Sequence, residues 1–361
     1  MDDVKQRDKS VDFAKGIAMI AISFGHIMSD LHGTPDVVCK YLSSFELAVF
    51  FIVSGYLQFG RAERKASDYI RHSIVSLLYP YVTFTVSIFF INSLPALLGQ
   101  GINDYMLGFP ERICSVITWG AGACWFFPTF FISGIIAYFC RKTSKIPNII
   151  KIVVLVVIGS IMCIITEQYS YLKEVTEESI ATALFWFWHL FCLISRSIVG
   201  ASLMMIGYEL KHFAAEKVKK LNGGGYILSA LLIAIGLITC YLNYDFIDFH
   251  FASIRNPVLF YISAVSTTCA LLIIGKKFCP ACIVWCGKES LLLILAQTGM
   301  YYICAIITKF VNTAELPYLV TLLFAVFVLI ISLIIAYFVI RLIHSTFLRI
   351  LIIPPKKKEV K

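Results

Sequence analysis

The chain alternates between long apolar runs and short polar links, and this pattern is its main structural signal. The runs are about 17–28 residues long, which suits helices that cross roughly 30 Å of hydrocarbon. They lack the period-two alternation of barrel strands, and lipid tolerates no unpaired backbone, so helices are favoured. The pattern predicts an all-α polytopic integral membrane protein with about ten transmembrane helices. The predicted helices span residues 11–31, 41–59, 74–98, 123–139, 149–166, 180–208, 226–242, 258–275, 291–311 and 318–343.

Composition excludes a soluble domain. Hydrophobic residues make up 59% of the 361 positions and charged residues only 15%, whereas a soluble domain carries about 25% charged residues. The mean hydropathy is +0.83. A net charge of +9 would suit a nucleic-acid partner, but the charges sit in short clusters between apolar runs. We therefore expect membrane lipids, and no nucleic acid, as partners.

The placement of the cations predicts the orientation. The N-terminus, alternate links and the C-terminal tail hold 25 of the 31 Lys and Arg residues. By the positive-inside rule, both termini are expected in the cytoplasm, which requires an even number of helices. No link is long enough to fold alone, so we predict a single membrane-embedded domain over 1–361, with a short basic tail at 345–361. For that tail, contact with anionic lipid and simple solvation both stay open.

The twelve cysteines carry only a weak signal. Most lie inside apolar runs, where cysteine behaves as a small hydrophobic residue. Their spacing indicates no disulfide framework. Cys279, Cys282 and Cys286 resemble part of a metal site, but no histidine is near them in sequence. We predict no metal.

The first predicted helix carries the clearest candidate for chemistry. Lys15 and His26 are eleven residues apart, close to three helical turns, so they share one face about 16 Å apart along the axis. An ionisable residue inside a membrane helix is a functional candidate by default. A neutral imidazole can accept a hydroxyl proton, as acyl transfer to an alcohol requires. A histidine that only caps the helix near the head groups is the open alternative.

Two further polar groups stand out. Arg196 lies in an apolar stretch and needs a partner, for which Glu209 and Glu167 are candidates; a site role and a structural ion pair both stay open. The link before the eighth helix contains Asp245, Asp248, His250 and Arg255. These residues are interpreted either as ligands for sugar hydroxyls or as a solvated polar loop.

An ordered set of short motifs resembles one family. It begins with Asp12, Lys15, Gly16 and Ile17, followed by His26. Further motifs follow in the family's order: FFIVSGY at 50–56, Arg71 before the Pro-Tyr at 80–81, WFFP at 125–128, IGY at 206–208, NPVLFY at 256–261 and GKESL at 287–291. Together they resemble membrane-bound acyltransferase family 3, and within it the fucose 4-O-acetylase-like or surface-polysaccharide O-acyltransferase branch. The resemblance spans nearly the whole chain, although each motif is short.

The resemblance implies a function, which we state as an expectation. A bacterial multi-pass protein of the cell membrane would transfer an acyl group, usually acetyl, from acyl-CoA to a carbohydrate hydroxyl. Acyl-CoA would be a donor substrate, with no permanently bound cofactor. The predicted catalytic residues are His26, Lys15 and Asp12. The predicted binding residues are Arg7, Ser54, Tyr56, Arg71, Trp125, Arg196 and Glu46.

The basic residues admit two interpretations. Arg7, Lys15, Arg61, Arg64 and Arg71 could hold the donor's phosphates electrostatically, or they could reflect only the positive-inside rule.

The chain departs from the family at several positions. Lys15 replaces an Arg and so lacks its bidentate fork. Glu289 replaces an Asn, Gln297 a second His, and Leu77 an Arg. Glu46 lies where members often have His or Asp. Because of these departures, one alternative is that the protein is a structural membrane partner with an inactive site. A transporter or flippase of a lipid-linked sugar is the other alternative, although the two similar halves typical of transporters are not found.

Overall fold

The structure is a computed structural model. It describes residues 7–32, 37–60, 65–87, 89, 122–143, 145–173, 178–217, 224–243, 245–294, 303–304, 307, 316–352 and 354. Across these ranges the regular structure is helical, with no strand. The helices are α1 (Lys9–His32), α2 (Val37–Gln58), α3 (Ala66–Ser73), α4 (Phe126–Lys142), α5 (Asn148–Lys173), α6 (Glu178–Lys217), α7 (Gly224–Leu242), α8 (Pro257–Lys277), α9 (Ala281–Lys288) and α10 (Tyr318–Ser345).

Seven helices of the described part are long and apolar enough to cross a membrane, namely α1, α2, α5, α6, α7, α8 and α10. Of the other three predicted spans, 74–98 and 291–311 are described only in part, whereas 123–139 is described throughout. Residues 66–87 are helical through a π-helical turn at Ile74–Leu78. Helix α4 has 17 residues, and most of 291–311 lies outside the described residues. The count of ten and the cytoplasmic termini therefore stay predictions.

The helices divide into an inner and an outer group. The apolar windows of α1, α6, α8 and α2 are 72%, 67%, 61% and 56% buried, whereas those of α5, α7 and α10 are only 28%, 28% and 33% buried. The exposed positions of the outer helices are mostly Ile, Leu, Val and Phe. In a water-soluble protein such faces would be a liability, but in a bilayer they are the surface that lipid covers. The inner helices enclose the polar residues described below.

The inner helices approach each other at glycines. A Cβ on Gly55 of α2 would collide with the backbone carbonyl of Met204 on α6, and a Cβ on Gly207 of α6 would collide with that of Ile52 on α2. Helices α1 and α9 meet in the same reciprocal way at Gly16. Small residues let membrane helices pack backbone to backbone, so the glycines of the SGY and IGY motifs allow α2 and α6 to cross closely.

We predict that Gly207→Leu destabilises the protein. The obstacle is a backbone carbonyl of α2 and not a movable side chain, so the expected loss is about 3 kcal/mol, at the upper end of overpacking costs. Thermal melting of the purified variant measures it. Gly25→Ala is the matched control, because its added Cβ would meet only Glu46 Oε2 at 3.9 Å. Equal melting temperatures for the two variants would contradict the crossing.

Candidate active site

A cavity of about 410 Å³ opens among α1, α2, the start of α4 and the link between α7 and α8. Ligand sites typically occupy 300–1,000 Å³ and combine apolar walls with a few polar groups. Ile22, Leu47, Phe126 and Phe249 are among the apolar residues that line it. The polar and aromatic side chains that converge on it come from distant parts of the chain, and include His26, Glu46, Trp125, Asp248 and His250.

His26 lies on the cavity side of α1. Its side chain is exposed and lines the cavity, so the imidazole faces enclosed space and not only lipid. Glu46 of α2 is across the helix interface, with its Oε2 3.9 Å from the position that a Cβ on Gly25 would occupy. Because residue 25 has no side chain, the carboxyl group can reach α1 immediately beside His26. The structure thus brings together an imidazole and a carboxyl group inside a membrane bundle.

The link between α7 and α8 is an ordered structure that reaches into this cavity. Ile247, Phe249, Ala252 and Ile254 are all less than 5% exposed. The Asn243 side chain closes the ends of the link, since its Oδ1 accepts from Asn256 N at 2.7 Å and its Nδ2 donates to Ile254 O at 3.3 Å. These contacts show that the backbone of the link is packed and hydrogen-bonded, while its Asp245–Arg255 ion pair, at 2.8 Å, is partly exposed.

A carboxylate of α5 clamps the same link from its other side. Glu167 Oε1 accepts hydrogen bonds from Ser253 Oγ at 2.7 Å and from Arg255 N at 3.0 Å. Asp248 in turn accepts from the backbone N–H groups of His250 and Phe251 and shapes the short helical turn at Phe249–Phe251. The backbone that presents Asp248 and His250 is therefore fixed by side chains on α5, α7 and the link itself.

Arg196 supports the aromatic side of the cavity. Its Nη1 donates to His250 O at 2.6 Å, and its guanidinium carbon lies 4.8 Å from the centroid of the Trp125 ring. Trp125 also stacks on the His250 imidazole, with centroids 4.7 Å apart and planes at 20°. One buried cation thus joins α6 to the start of α4 and to the link.

The partners expected for Arg196 from sequence are incorrect. Glu167 binds the link, and Glu209 accepts from Asn148 Nδ2 at 2.7 Å. Within the described ranges Arg196 forms no ion pair with a carboxylate. Instead, a backbone carbonyl and an aromatic ring face stabilise its charge. Neither partner can be predicted from the types of residue in the sequence.

Burial changes the titration of the two polar side chains on the link. Burial, with the nearby positive charge of Arg196, lowers the pKa of His250 to about 3, so this imidazole is neutral at any working pH. Burial also raises the pKa of Asp248, an effect that hydrogen bonds from Phe251 and His250 and the charges of Arg196 and Arg255 oppose. The link thus offers a neutral imidazole and an acidic side chain whose ionised form burial opposes and two backbone hydrogen bonds, Arg196 and Arg255 favour.

The remaining predicted residues of α1 form a charged cluster near its N-terminus. Asp12 is 2% exposed and accepts from Arg7 Nε at 2.6 Å and Nη2 at 2.8 Å. Lys15 Nζ lies 3.7 Å from the same carboxylate. None of the three lines the cavity; they lie at the opposite end of α1, with Lys15 about 16 Å from His26 along the axis.

Three other predicted residues lie away from the cavity. Ser54 and Tyr56 are eight and ten residues beyond Glu46 on α2, about 12 and 15 Å along its axis. Lys211 Nζ lies 4.9 Å from the Tyr56 ring centroid. Arg71 is exposed on α3. Arg61, Arg64 and Gln297 lie outside the described residues.

Comparison with known proteins agrees with this architecture. The sequence profile of acyltransferase family 3, described as an acyltransferase domain, matches residues 8–341. The match covers most of the chain, so the protein belongs to this family and is a membrane acyltransferase. No curated protein and no solved structure matches it significantly. This match confirms the family that the motifs predicted, membrane-bound acyltransferase family 3.

Proposed function

We propose that the protein transfers an acyl group, with acetyl as the first candidate, from acyl-coenzyme A to a hydroxyl group of a surface or lipid-linked carbohydrate. The motifs resemble those of the fucose 4-O-acetylase-like or surface-polysaccharide branch of its family, and this resemblance supports the proposal. The observation that carries the proposal is the cavity where His26 and Glu46 meet Trp125 and Asp248.

The geometry supports base catalysis by His26. The imidazole takes the proton of the acceptor hydroxyl as its oxygen attacks the thioester carbonyl. The tetrahedral intermediate then collapses, the carbon–sulfur bond breaks, and the imidazolium returns the proton to the leaving sulfur. Glu46, which lines the same cavity across the α1–α2 interface, can hydrogen-bond the imidazole or the acceptor hydroxyl. Acyl-CoA is consumed as a substrate, and the products are an ester and the free thiol.

The opposite wall suits a carbohydrate. Sugars present hydroxyl groups around a ring whose faces are largely C–H, so they suit side chains that combine an aromatic surface with hydrogen-bonding atoms. Trp125, Asp248 and His250 provide both on one wall. His250 is neutral and can donate from one ring nitrogen and accept at the other.

The test is acyl-CoA-dependent chemistry by the purified protein. In lipid nanodiscs with acetyl-CoA and an oligosaccharide acceptor, we expect release of free thiol together with an acetylated sugar, detected by a thiol reagent and by mass spectrometry. A flippase of lipid-linked sugars would release no thiol. Surface glycans from cells with and without the gene should differ by acetyl groups. No thiol release with any acyl-CoA, and unchanged glycan masses, would reject the proposal.

A further inference from the structure

A second cleft, of about 530 Å³, lies where the N-terminal end of α1 meets the C-terminal end of α8. Four cationic side chains and one carboxylate line it, namely those of Arg7, Lys9, Lys276, Lys277 and Asp8. The two helix ends are held close together at Gly275, where a Cβ would lie 2.9 Å from Ser10 Cα. The cleft is therefore built between rigid helix ends and carries surplus positive charge.

Some of these cations are already engaged. The fork of Arg7 is occupied by Asp12, and Lys277 Nζ lies 4.8 Å from the Tyr226 ring centroid. Lys9 and Lys276 are exposed and form no ion pair with a carboxylate in the described part of the chain. These two ammonium groups provide the cleft's available charge.

The helix macrodipole favours the position of only one of these two lysines. Lys276 lies at the C-terminal end of α8, where a cation is favoured by the macrodipole. Lys9 is the first residue of α1, where the same dipole disfavours a cation. Asp8 partly offsets it, although its Oδ1 already accepts from Ser10 N and Oγ. Lys9 lies at a helix N-terminus and in a cleft with three other cations. An anion bound in the cleft would therefore stabilise it.

The distance to the first cavity suggests which anion. Lys9 and His26 are seventeen residues apart on one helix, about 25 Å along its axis. Roughly 21 bonds join the 3′-phosphorus of coenzyme A to its sulfur, and at the spacing of an extended chain they reach about 23–25 Å. Roughly 13–15 bonds separate the diphosphate from the sulfur, a reach of about 14–18 Å. Lys15 lies within that range, about 16 Å from His26.

We propose that the cleft binds the ribose 3′-phosphate of the acyl-CoA donor through Lys9 and Lys276, with the thioester 25 Å away at His26. This rests on the proposed function for its ligand. A 3′-phosphate is a monoester with close to two negative charges at neutral pH, which two ammonium groups match. The phosphate head group of an anionic lipid shares this chemistry, and the experiment separates the two sources.

Nucleotide binding tests the cleft without requiring turnover. The probes are adenosine 3′,5′-bisphosphate and adenosine 5′-phosphate, which differ only in the 3′-phosphate. With purified full-length protein we expect the bisphosphate to bind about tenfold to a hundredfold more tightly, the range for charge-assisted hydrogen bonds. The double variant Lys9→Gln/Lys276→Gln should bind both probes equally, whereas Lys9→Arg/Lys276→Arg should keep the preference. Lys145→Gln, an exposed lysine on another link, is the control and should also keep it.

Several results would overturn the proposal. Equal affinity of the wild type for the two probes would do so, as would a preference that survives in the Gln double variant. Loss of the preference in nanodiscs of anionic lipid, with its return in neutral lipid, would assign the cleft to lipid head groups.

The donor itself separates this proposal from the proposed function. With acetyl-CoA and its 3′-dephospho form as donors, the wild type should show a KM about tenfold or more lower for acetyl-CoA, and the Gln double variant should show no difference. Vigorous transfer with equal KM values would reject the cleft and keep the acyltransferase. A preference for the bisphosphate without any acyl transfer would keep the phosphate-binding cleft and reject the acyltransferase.

Discussion

Replacing His26 by alanine is expected to lower kcat/KM for acyl transfer by about 10²–10⁴, the contribution of a positioned general base. The side chain faces the cavity, so the substitution removes the proposed base and leaves the helix contacts of α1 in place. Thiol release and acetylated product, measured with purified protein in nanodiscs, give the ratio. The amount of protein in the membrane and its melting temperature should stay close to wild type.

His344→Gln is the matched histidine control. That imidazole lies at the end of α10, is exposed, and contacts Glu289 Oε2 at 3.1 Å; it does not line the cavity. We expect full activity from it. Wild-type transfer by a well-expressed His26→Ala protein would reject His26 as the base, whatever the other variants do.

Arg196→Met is expected to damage the site through its supports. The variant leaves the buried carbonyl of His250 without its donor, which costs about 1–3 kcal/mol, and removes the cation from the Trp125 face, worth roughly 0.5–2 kcal/mol. Arg196 contacts the Trp125 ring and the backbone of His250, and this ring stacks on the His250 imidazole. We therefore expect kcat/KM to fall about a hundredfold, the cost of a misplaced site. The acceptor's KM should rise more than the donor's.

The same variant should change the pH dependence. Burial raises the pKa of Asp248, and the positive charge of Arg196 opposes that rise. Without Arg196 the pKa of Asp248 goes higher still, so the carboxylate is lost at a higher pH as the solution is acidified. If the ionised form binds the acceptor, the acid limb of kcat/KM moves upward in pH. A kinetic profile of wild type and variant between pH 5 and 9 would reveal the shift.

Arg141→Met provides the control for Arg196. Arg141 lies at the end of α4 with its guanidinium carbon 5.4 Å from the Tyr208 ring centroid, so the substitution removes a similar cation–aromatic contact far from the cavity. We expect it to melt slightly lower with unchanged KM values and an unchanged pH profile. An Arg196→Met protein with wild-type acceptor KM and acid limb would show that the link holds its position without the cation.

Much of the fold follows from the hydropathy pattern alone. Apolar runs predict the cores of α1, α2, α5, α6, α7, α8 and α10, because the bilayer demands unbroken apolar helices of that length. The hydropathy pattern predicts the ends of these helices less well. Helix α6, predicted over 180–208, continues to Lys217, since Glu, Leu, Lys and Ala after residue 208 favour a helix after the apolar run has ended. Helix α4 begins three residues late, after a short 3-10 turn.

The candidate site was predictable only in part. His26 could be selected because an imidazole in an apolar helix is conspicuous. Asp248 and His250 could not be separated from a solvated loop by residue type alone. A signal was present, however, in the apolar residues that alternate with them at 246–254, which a solvated loop would not need. That Glu46, and not Ser54 or Tyr56, lines the cavity with His26 follows from the pairing of α1 with α2, which no single-helix pattern specifies.

The link between α7 and α8 has a consequence for engineering. Its two ends are tied to each other by Asn243, and its apolar residues pack inward while Asp248 and His250 meet the cavity. Exchanging this segment would also require keeping its aromatic contacts with Phe51, Trp125 and Trp188, besides its bonds to Glu167 and Arg196. Grafting the corresponding segment of a relative, with those contacts retained, should transfer that relative's choice of acceptor, while His26 on α1 is left unchanged.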